Sequence, residues 1–357
     1  MEVYWYIIIS LALVGFFILD GYDFGVGIIH LFFAEEEKDK VVIAKSAGLF
    51  WDANEVWLVM AGGMLFMAFP LLYASAFSGF YLPLMMLLWL MIFRAIGLEL
   101  RGQYNTRIWR DMCDKAFGVS SFLLALLFGV ALGNIIRGVN LGGVVNGVSK
   151  YESSYFFLPL WNARFSPLAH QPGVIDWFTL IFGFITVITL MIHGANWIVL
   201  KTNSSINDRL KNVVYYLNIG LILLSLASIW MGYSIQSDPL GNFITHPGFS
   251  IFPLFYILGL SGLFFVRRYR RPIYAFLFST LVIFGGITTS LASIFPKVLP
   301  STNMVHPALT IYNTAAGDYS LSVAALWSVM GMLLMVLYFI IQRRLLSGKI
   351  DTKDYGH

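Results

Sequence analysis

Two short stretches put carboxyl groups where lipid-facing helix is otherwise expected. LDGYDFGVGIIH (19–30) carries Asp20, Asp23 and His30, and FWDANEVWLVMAGG (50–63) carries Asp52 and Glu55 between Trp51 and Trp57. On a helix, Asp20, Asp23, Gly27 and His30 follow i, i+3, i+7 and i+10, so they form one stripe on one face. Asp52 and Glu55 repeat the i, i+3 spacing, and Gly62 continues their face. A charge at mid-bilayer costs roughly 2.5–3.5 kcal/mol even on insertion scales, so such residues are kept where a proton or ion path needs them. A carboxyl held away from water is a proton carrier rather than a fixed charge. The chemistry these residues suggest is a hydrated carboxyl chain that takes up protons. Gly21 and Gly25 add a GxxxG spacing, which lets another helix approach closely.

The elements that must hold these groups are membrane helices. The chain has 357 residues, 58% of them hydrophobic and 12% charged, with a mean hydropathy of +0.76. A soluble domain of this size could not cover its surface with so few polar groups. Apolar runs long enough to cross about 30 Å of hydrocarbon recur along the chain, and they are continuous rather than alternating, which excludes a β-barrel. The expected fold is an all-α polytopic membrane protein with about nine transmembrane helices. The spans run approximately 4–32, 50–72, 76–98, 116–136, 176–200, 212–233, 250–266, 272–295 and 321–342, with tight hairpins such as 72–75 and one long loop, about 137–175. The first span has no basic leader and no small-residue cleavage site, so it reads as an uncleaved helix.

Of the 23 Lys and Arg residues, nineteen fall on one side of these spans and four (Arg137, Lys150, Arg164 and Lys297) on the other. The positive-inside rule then places the N-terminus outside and the C-terminus in the cytoplasm. The pI near 9.0 reflects that topology and anionic headgroups, not a nucleic-acid partner. Under this topology Asp20, Asp23, His30, Asp52 and Glu55 gather toward the cytoplasmic side, with Arg94 at the inner end of the third span. ILDGYDFGVGII (18–29) is echoed by LMIHGANWIVLK (190–201). The echo suggests a first four-helix unit (1–140), a second (172–298) and a peripheral ninth helix (318–345) within one integral membrane domain.

Blander readings stand beside the proton path. Asp52 at a helix start reads equally as an N-cap and Glu55 as its capping-box partner, with Trp51 and Trp57 as interfacial belt residues. Arg94 could simply neutralise a neighbouring carboxyl. No metal site is expected, because hard cations need several preorganised oxygens. Cys113 is the single cysteine, which excludes an internal disulfide and Cys-based clusters. Only His30 and His193 lie in spans; His170, His246 and His306 fall outside them and His357 is terminal. At most one bis-His haem would be available. The stretches SIFPKVLPSTN (293–303) and YFFLPLWNARFSPLAHQP (155–172) read as ordered loops on the rim. From the residues alone, a proton-coupled secondary transporter using the same carboxyls and a purely structural subunit remain alternatives.

LDGYDFGVG (19–27), WDANEVWLVMAGG (51–63), FPLLYASAFSGFY (69–81), FRAIGLELR (93–101), GVALGNIIRGV (129–139) and FPKVLPSTN (295–303) resemble, in order and spacing, subunit II of the cytochrome bd-type quinol oxidases. Spans five to seven match less distinctly. The resemblance implies a haem-free subunit paired with a homologous subunit I that carries two b-type haems, haem d and the outer quinol site. It implies quinol and O₂ as substrates of the complex, water as product and chemical protons drawn from the cytoplasm. It also implies a bacterial or archaeal cytoplasmic membrane, and it leaves room for small single-helix accessory subunits, a structural quinone and lipid. The proton-linked Asp residues of its DGxD and WDxN motifs fall on Asp23 and Asp52, and the arginine of its FR motif on Arg94. Asp20, Glu55 and His30 are supporting candidates. The chain departs from the family at Ala53, often Gly, at Glu55, often Gln, and at His193, where some members have Gln.

Overall fold

The computed structural model describes residues 1–48, 50–145, 148–150, 160–169, 172–235, 240–302, 307–345 and 348–351. His170, His306, His357 and much of the 155–172 stretch lie outside these residues. Twelve α-helices are described: α1 (Glu2–Phe33), α2 (Glu37–Gly48), α3 (Trp51–Ala68), α4 (Pro70–Gly79), α5 (Tyr81–Glu99), α6 (Arg107–Arg137), α7 (Trp177–Lys201), α8 (Ile206–Ile235), α9 (Gly241–Thr245), α10 (Ile251–Leu263), α11 (Ile273–Ile294) and α12 (Asp318–Leu345). Seven of them, α1, α5, α6, α7, α8, α11 and most of α12, are long and apolar enough to cross a membrane. The chain is thus an all-α polytopic membrane protein. Three two-stranded pairings decorate the loops: β1 (Gly143–Val145) with β2 (Val148–Lys150), β3 (Thr202–Asn203) with β6 (Ile350–Asp351), and β4 (Lys297–Leu299) with β5 (Leu309–Thr310).

Several boundaries differ from the sequence reading, each for a local reason. The expected second span, 50–72, ends at Ala68. The chain then bends by 120° into α4, which starts on Pro70. Proline cannot continue a helix through its missing N–H but suits a first helical position. The expected hairpin at 72–75 is therefore a stretch of α4, and the third span begins at Tyr81. The expected seventh span, 250–266, contains only the 13-residue α10, preceded by a 3₁₀ turn at Pro247–Ser250. The loop after span one folds into α2, whose charged face no apolar window detects.

The C-terminal half of α1 and the end of α7 form the centre of the bundle. Every residue from Asp20 to His30 and from Leu190 to Val199 is buried. They cross at Gly25 and Gly194: a Cβ on Gly25 would overlap the carbonyl oxygen of Leu190 and lie 2.8 Å from Gly194 N and Cα. Only paired glycines allow backbones this close. Tyr22 stacks on Trp197 at 4.0 Å between ring centroids beside that crossing. Around the crossing, α1 packs on α3 and α6, and α6 on α5; α7 packs on α8 and α11, and α11 on α10. The two sets share one order of neighbours. α12 lies at the edge, against α3 and α1, and most of its apolar side chains are exposed.

Candidate proton-transfer site

The site is built where α1, α3 and α5 meet, at the end of the bundle that carries α2. Asp20 and Asp23 project from α1 and are fully buried, at 0% and 1% exposure. Arg94, from α5, is equally buried. Its Nη1 donates to Asp20 Oδ1 at 2.7 Å and its Nη2 to Glu55 Oε2 at 3.4 Å. The guanidinium lies over Phe24, with Cζ 4.4 Å from the ring centroid. A buried guanidinium needs such a planar apolar rest as well as its carboxylates.

Asp23 is held by a residue passed over in the sequence. Asn54 Nδ2 donates to Asp23 Oδ2 at 2.7 Å and to Tyr22 Oη at 2.6 Å. Asn54 sits one turn into α3 on its buried side. It carries no charge, so the spacing of titratable groups does not single it out, although it lies inside the WDAN motif. Four polar atoms of this cluster are buried without a protein partner: Asp20 Oδ2, Asp23 Oδ1, Asn54 Oδ1 and Arg94 Nε. Each such atom costs about 1–3 kcal/mol unless water or a proton satisfies it.

Exposure rises stepwise outward from these carboxyls. The Glu55 side chain is 30% exposed and Asp52 is on the surface. Asp52 is not the helix cap: Phe50 occupies that position and no side chain caps the helix. The capping-box reading of Asp52 and Glu55 therefore fails, because α3 starts one residue before Asp52 and places it in the first turn. Trp51 donates from Nε1 to Glu99 Oε1 at 2.7 Å and tethers α3 to the end of α5. Trp57 is not an interfacial anchor; its ring lies against Gly15 of α1 and edge-on to Phe339 of α12.

His30 does not join this cluster. It lies two turns further along α1, against α6, with Nε2 3.3 Å from Asp114 Oδ1. Asp114 in turn accepts from Arg101 Nε at 2.6 Å and lies 3.4 Å from Lys40 Nζ. The six groups expected together thus divide into two sets. Asp114 escaped the sequence reading because the charged residues before position 116 resembled a loop, whereas α6 starts at Arg107. The other intramembrane histidine, His193, has Nδ1 2.8 Å from Ser279 Oγ and Nε2 2.9 Å from the Ile18 carbonyl. Both its ring nitrogens are engaged, whereas His30 faces Asp114. Among the described residues no cluster of three His, Cys, Asp or Glu could hold a metal ion.

The opposite end of the bundle carries a second buried ion pair. Arg137, expected in a loop, is the last residue of α6 and pairs with Asp176, the N-cap of α7. Arg137 also donates to Gly173 O at 2.9 Å and Asn134 Oδ1 at 2.7 Å. Asp176 Oδ1 accepts from the N–H groups of Phe178 and Thr179, and Thr179 Oγ1 closes the capping box. Every polar atom there has a job in holding the α6–α7 connection, which is a structural role.

Residues 1–346 match the family model described as cytochrome bd terminal oxidase subunit II. The chain is 29% identical over 375 residues to a probable cytochrome oxidase subunit 2 of Haemophilus influenzae, covering 98% of this chain and 94% of that protein. It is 27% identical to cytochrome bd-I ubiquinol oxidase subunit 2 of Escherichia coli, covering 98% and 95%. To cytochrome bd ubiquinol oxidase subunit 2 of Bacillus subtilis it is 26% identical, covering 99% and 96%. The fold is shared with the bd oxidase of Geobacillus thermodenitrificans, at a TM-score of 0.73 and 15% identity over 97% of this chain and 98% of that one.

Proposed function

Because the chain belongs to the cytochrome bd terminal oxidase subunit II family, and so is a subunit of a membrane-bound quinol oxidase complex, we propose that its own part in that complex is proton delivery. It carries protons from the cytoplasm toward the oxygen-reducing site while scaffolding the haem-bearing subunit I. The observation that supports this most is the pair of fully buried carboxyls, Asp20 and Asp23, served by a single buried guanidinium. With Arg94 committed to Asp20, an ionised Asp23 would have no counter-ion of its own, and a proton on it removes that uncompensated charge.

The roles we assign are supported by burial and hydrogen bonding. Asp52 is the exposed mouth and Glu55 the half-exposed next station. Arg94 stays charged, so it relays nothing; it positions Asp20 and Glu55 in one site. Asn54 occupies Asp23 Oδ2 and leaves Oδ1 as the oxygen that takes and gives the proton. Water completes the steps between carboxyls, at the unpartnered atoms. The orientation follows from the basic residues: N-terminus outside, C-terminus in the cytoplasm, with the α2 end and its carboxyls facing the proton source. Residues 1–140 and 172–298 act as two four-helix units, with 318–345 as the ninth helix. Two b-type haems and haem d belong to subunit I. An apolar cleft of about 240 Å³ between α1, α3 and α12, lined by Leu11, Ile18, Trp57 and Met332 among others, offers room for a structural quinone or a lipid chain. Quinol releasing protons outside while O₂ reduction consumes them inside makes turnover electrogenic. Among the described residues the one broken helix lies at Phe69, about 21 Å along α3 from Glu55 at 1.5 Å per residue. It supplies no backbone to the carboxyls, as a transporter's binding site would need.

The test is turnover of the assembled complex with Asp23→Asn and Asp52→Asn. The proposal expects both to slow quinol oxidation with haem absorption intact, Asp23→Asn more severely. Unchanged turnover in Asp23→Asn would sink it.

A further inference from the structure

The stripe on α1 runs on past Asp23 into a second group of polar residues. His30 is 2% exposed, and neither ring nitrogen has a hydrogen-bond partner. Its Nε2 lies 3.3 Å from Asp114 Oδ1. Asp114 opens toward the surface through a graded set of charges on its own helix and two other elements. Arg101, in the α5–α6 connection, bonds it through Nε at 2.6 Å and bonds Glu37 of α2 through Nη2 at 2.9 Å. Lys40 of α2 lies 3.4 Å from Asp114 and 3.9 Å from Asp111 of α6, and Arg110 of α6 lies 3.5 Å from Glu37. Side-chain exposure falls from 51% at Glu37 through 11% at Arg101 to 7% at Asp114 and 1% at His30. This is the profile of a funnel, and its narrow end is an imidazole whose Nε2 faces Asp114 and whose Nδ1 has no partner.

Between His30 and Asp23 the helix face carries Gly27. A Cβ there would overlap Ser121 Oγ of α6. The missing side chain therefore admits a hydroxyl against α1, one turn from Asp23 and one turn from His30. Ser121 Oγ donates to Phe117 O at 2.7 Å and keeps its acceptor capacity. At 1.5 Å rise per residue, Gly27 lies about 6 Å along the axis from Asp23 and about 4.5 Å from His30. Ser121 therefore sits at a level between the two groups, and water would carry the hydrogen bonds on either side of it. Asp23 Oδ1 is unpartnered.

Building on the carrier role argued for Asp23, we propose that Asp114, His30 and Ser121 form a second proton inlet, between α1 and α6, that converges on Asp23 independently of Asp52 and Glu55. A proton that reaches Asp114 by way of the exposed carboxylates Glu37 and Asp111 passes to His30 Nε2. The imidazolium releases its Nδ1 proton through water to Ser121 Oγ. The hydroxyl turns from the Phe117 carbonyl and passes its own proton through a second water to the Asp23 carboxylate, so that each group ends with the number of protons it began with except Asp23, which gains one. Arg101 and Lys40 hold Asp114 in place and stay charged. Two inlets feeding one carrier would let either supply protons when the other is blocked.

The experiment uses the whole oxidase complex in liposomes, reading quinol-driven O₂ consumption and charge separation, with the haem spectrum as the check on assembly. Parallel inlets add their rates. Asp52→Asn and His30→Leu alone are each expected to slow turnover only about twofold, and the two together by about tenfold or more, a non-additivity that serial steps do not give. Ser121→Ala, which removes one oxygen and no packing, should reproduce the effect of His30→Leu in the Asp52→Asn background; it serves if His30→Leu loses its haems. A double variant no slower than Asp52→Asn alone overturns the second inlet. Asp23→Asn separates the two layers of argument: full turnover there removes the shared carrier and with it the reading of the previous subsection. A slow Asp23→Asn beside a double variant matching Asp52→Asn removes the second inlet only.

Discussion

Arg94→Met isolates the charge balance on which the site depends. The substitution keeps an unbranched stem beside Phe24 and deletes the guanidinium, with its bonds to Asp20 at 2.7 Å and Glu55 at 3.4 Å. Asp20 is 0% exposed and its Oδ2 already lacks a partner, so the variant leaves the carboxyl with none. Stripping one member from a buried ion pair costs about 3–5 kcal/mol. The Glu55 contact adds less than about 1 kcal/mol, because a group that is 30% exposed is screened by water. Replacing both partners, Arg94→Met with Asp20→Leu, removes the orphaned charge and should recover most of the loss. The assay is the thermal midpoint of the purified complex, followed by haem absorption, for the two single variants and the double. The expected order is wild type, then the double variant, then Arg94→Met. A double variant as unstable as Arg94→Met would show that Asp20 does not bear the cost, and the pairing argument would be refuted.

Three further outcomes follow from named contacts. Gly25→Ala forces a methyl against the Leu190 carbonyl and against Gly194 N and Cα at 2.8 Å; backbone cannot move aside locally, so α1 and α7 must part, at about 1–3 kcal/mol, read as a lowered midpoint and loss of assembled complex. Asn54→Leu strips Asp23 Oδ2 and Tyr22 Oη of their donor; it should slow turnover and cost about 1–3 kcal/mol for the carboxyl left unsatisfied, whereas Asn54→Gln should do less of both if its longer amide reaches Asp23. Asp176→Ala removes the α7 cap and the partner of Arg137; it should destabilise the complex by several kcal/mol while leaving turnover of the surviving protein near wild type, and a selective loss of turnover would give that pair a role beyond structure.

Much of this arrangement is legible in the chain before any coordinates. The stripe Asp20, Asp23, Gly27, His30 marks the one helix face that cannot meet lipid, and LMIHGANWIVLK marks the helix that crosses it. Both stretches prove to be the fully enclosed parts of the bundle. Arg94 is legible too, as an isolated charge at the end of an apolar run. Hydropathy loses what lies beyond the apolar windows. Asp114 sits two turns inside α6, yet a charged helix start looks like a loop. α2 has the same composition problem. Asn54 bears no charge and so gives no sign in the charge pattern, although its amide holds Asp23. The cap on α7 was readable: Asp176 stands three residues before Thr179, a capping-box spacing. Residues spaced as one stripe can still meet different neighbours: His30 lies two turns beyond Asp23 and packs against α6, apart from Glu55.

The most direct measurement is charge separation by the complex in liposomes during quinol oxidation, compared between wild type and Asp23→Asn at equal haem content. Protons that reach the oxygen-reducing site from the cytoplasm through this chain must pass Asp23, so the variant should lose both turnover and the electrical signal while its haems still reduce and bind O₂. Wild-type charge separation in Asp23→Asn would contradict the account.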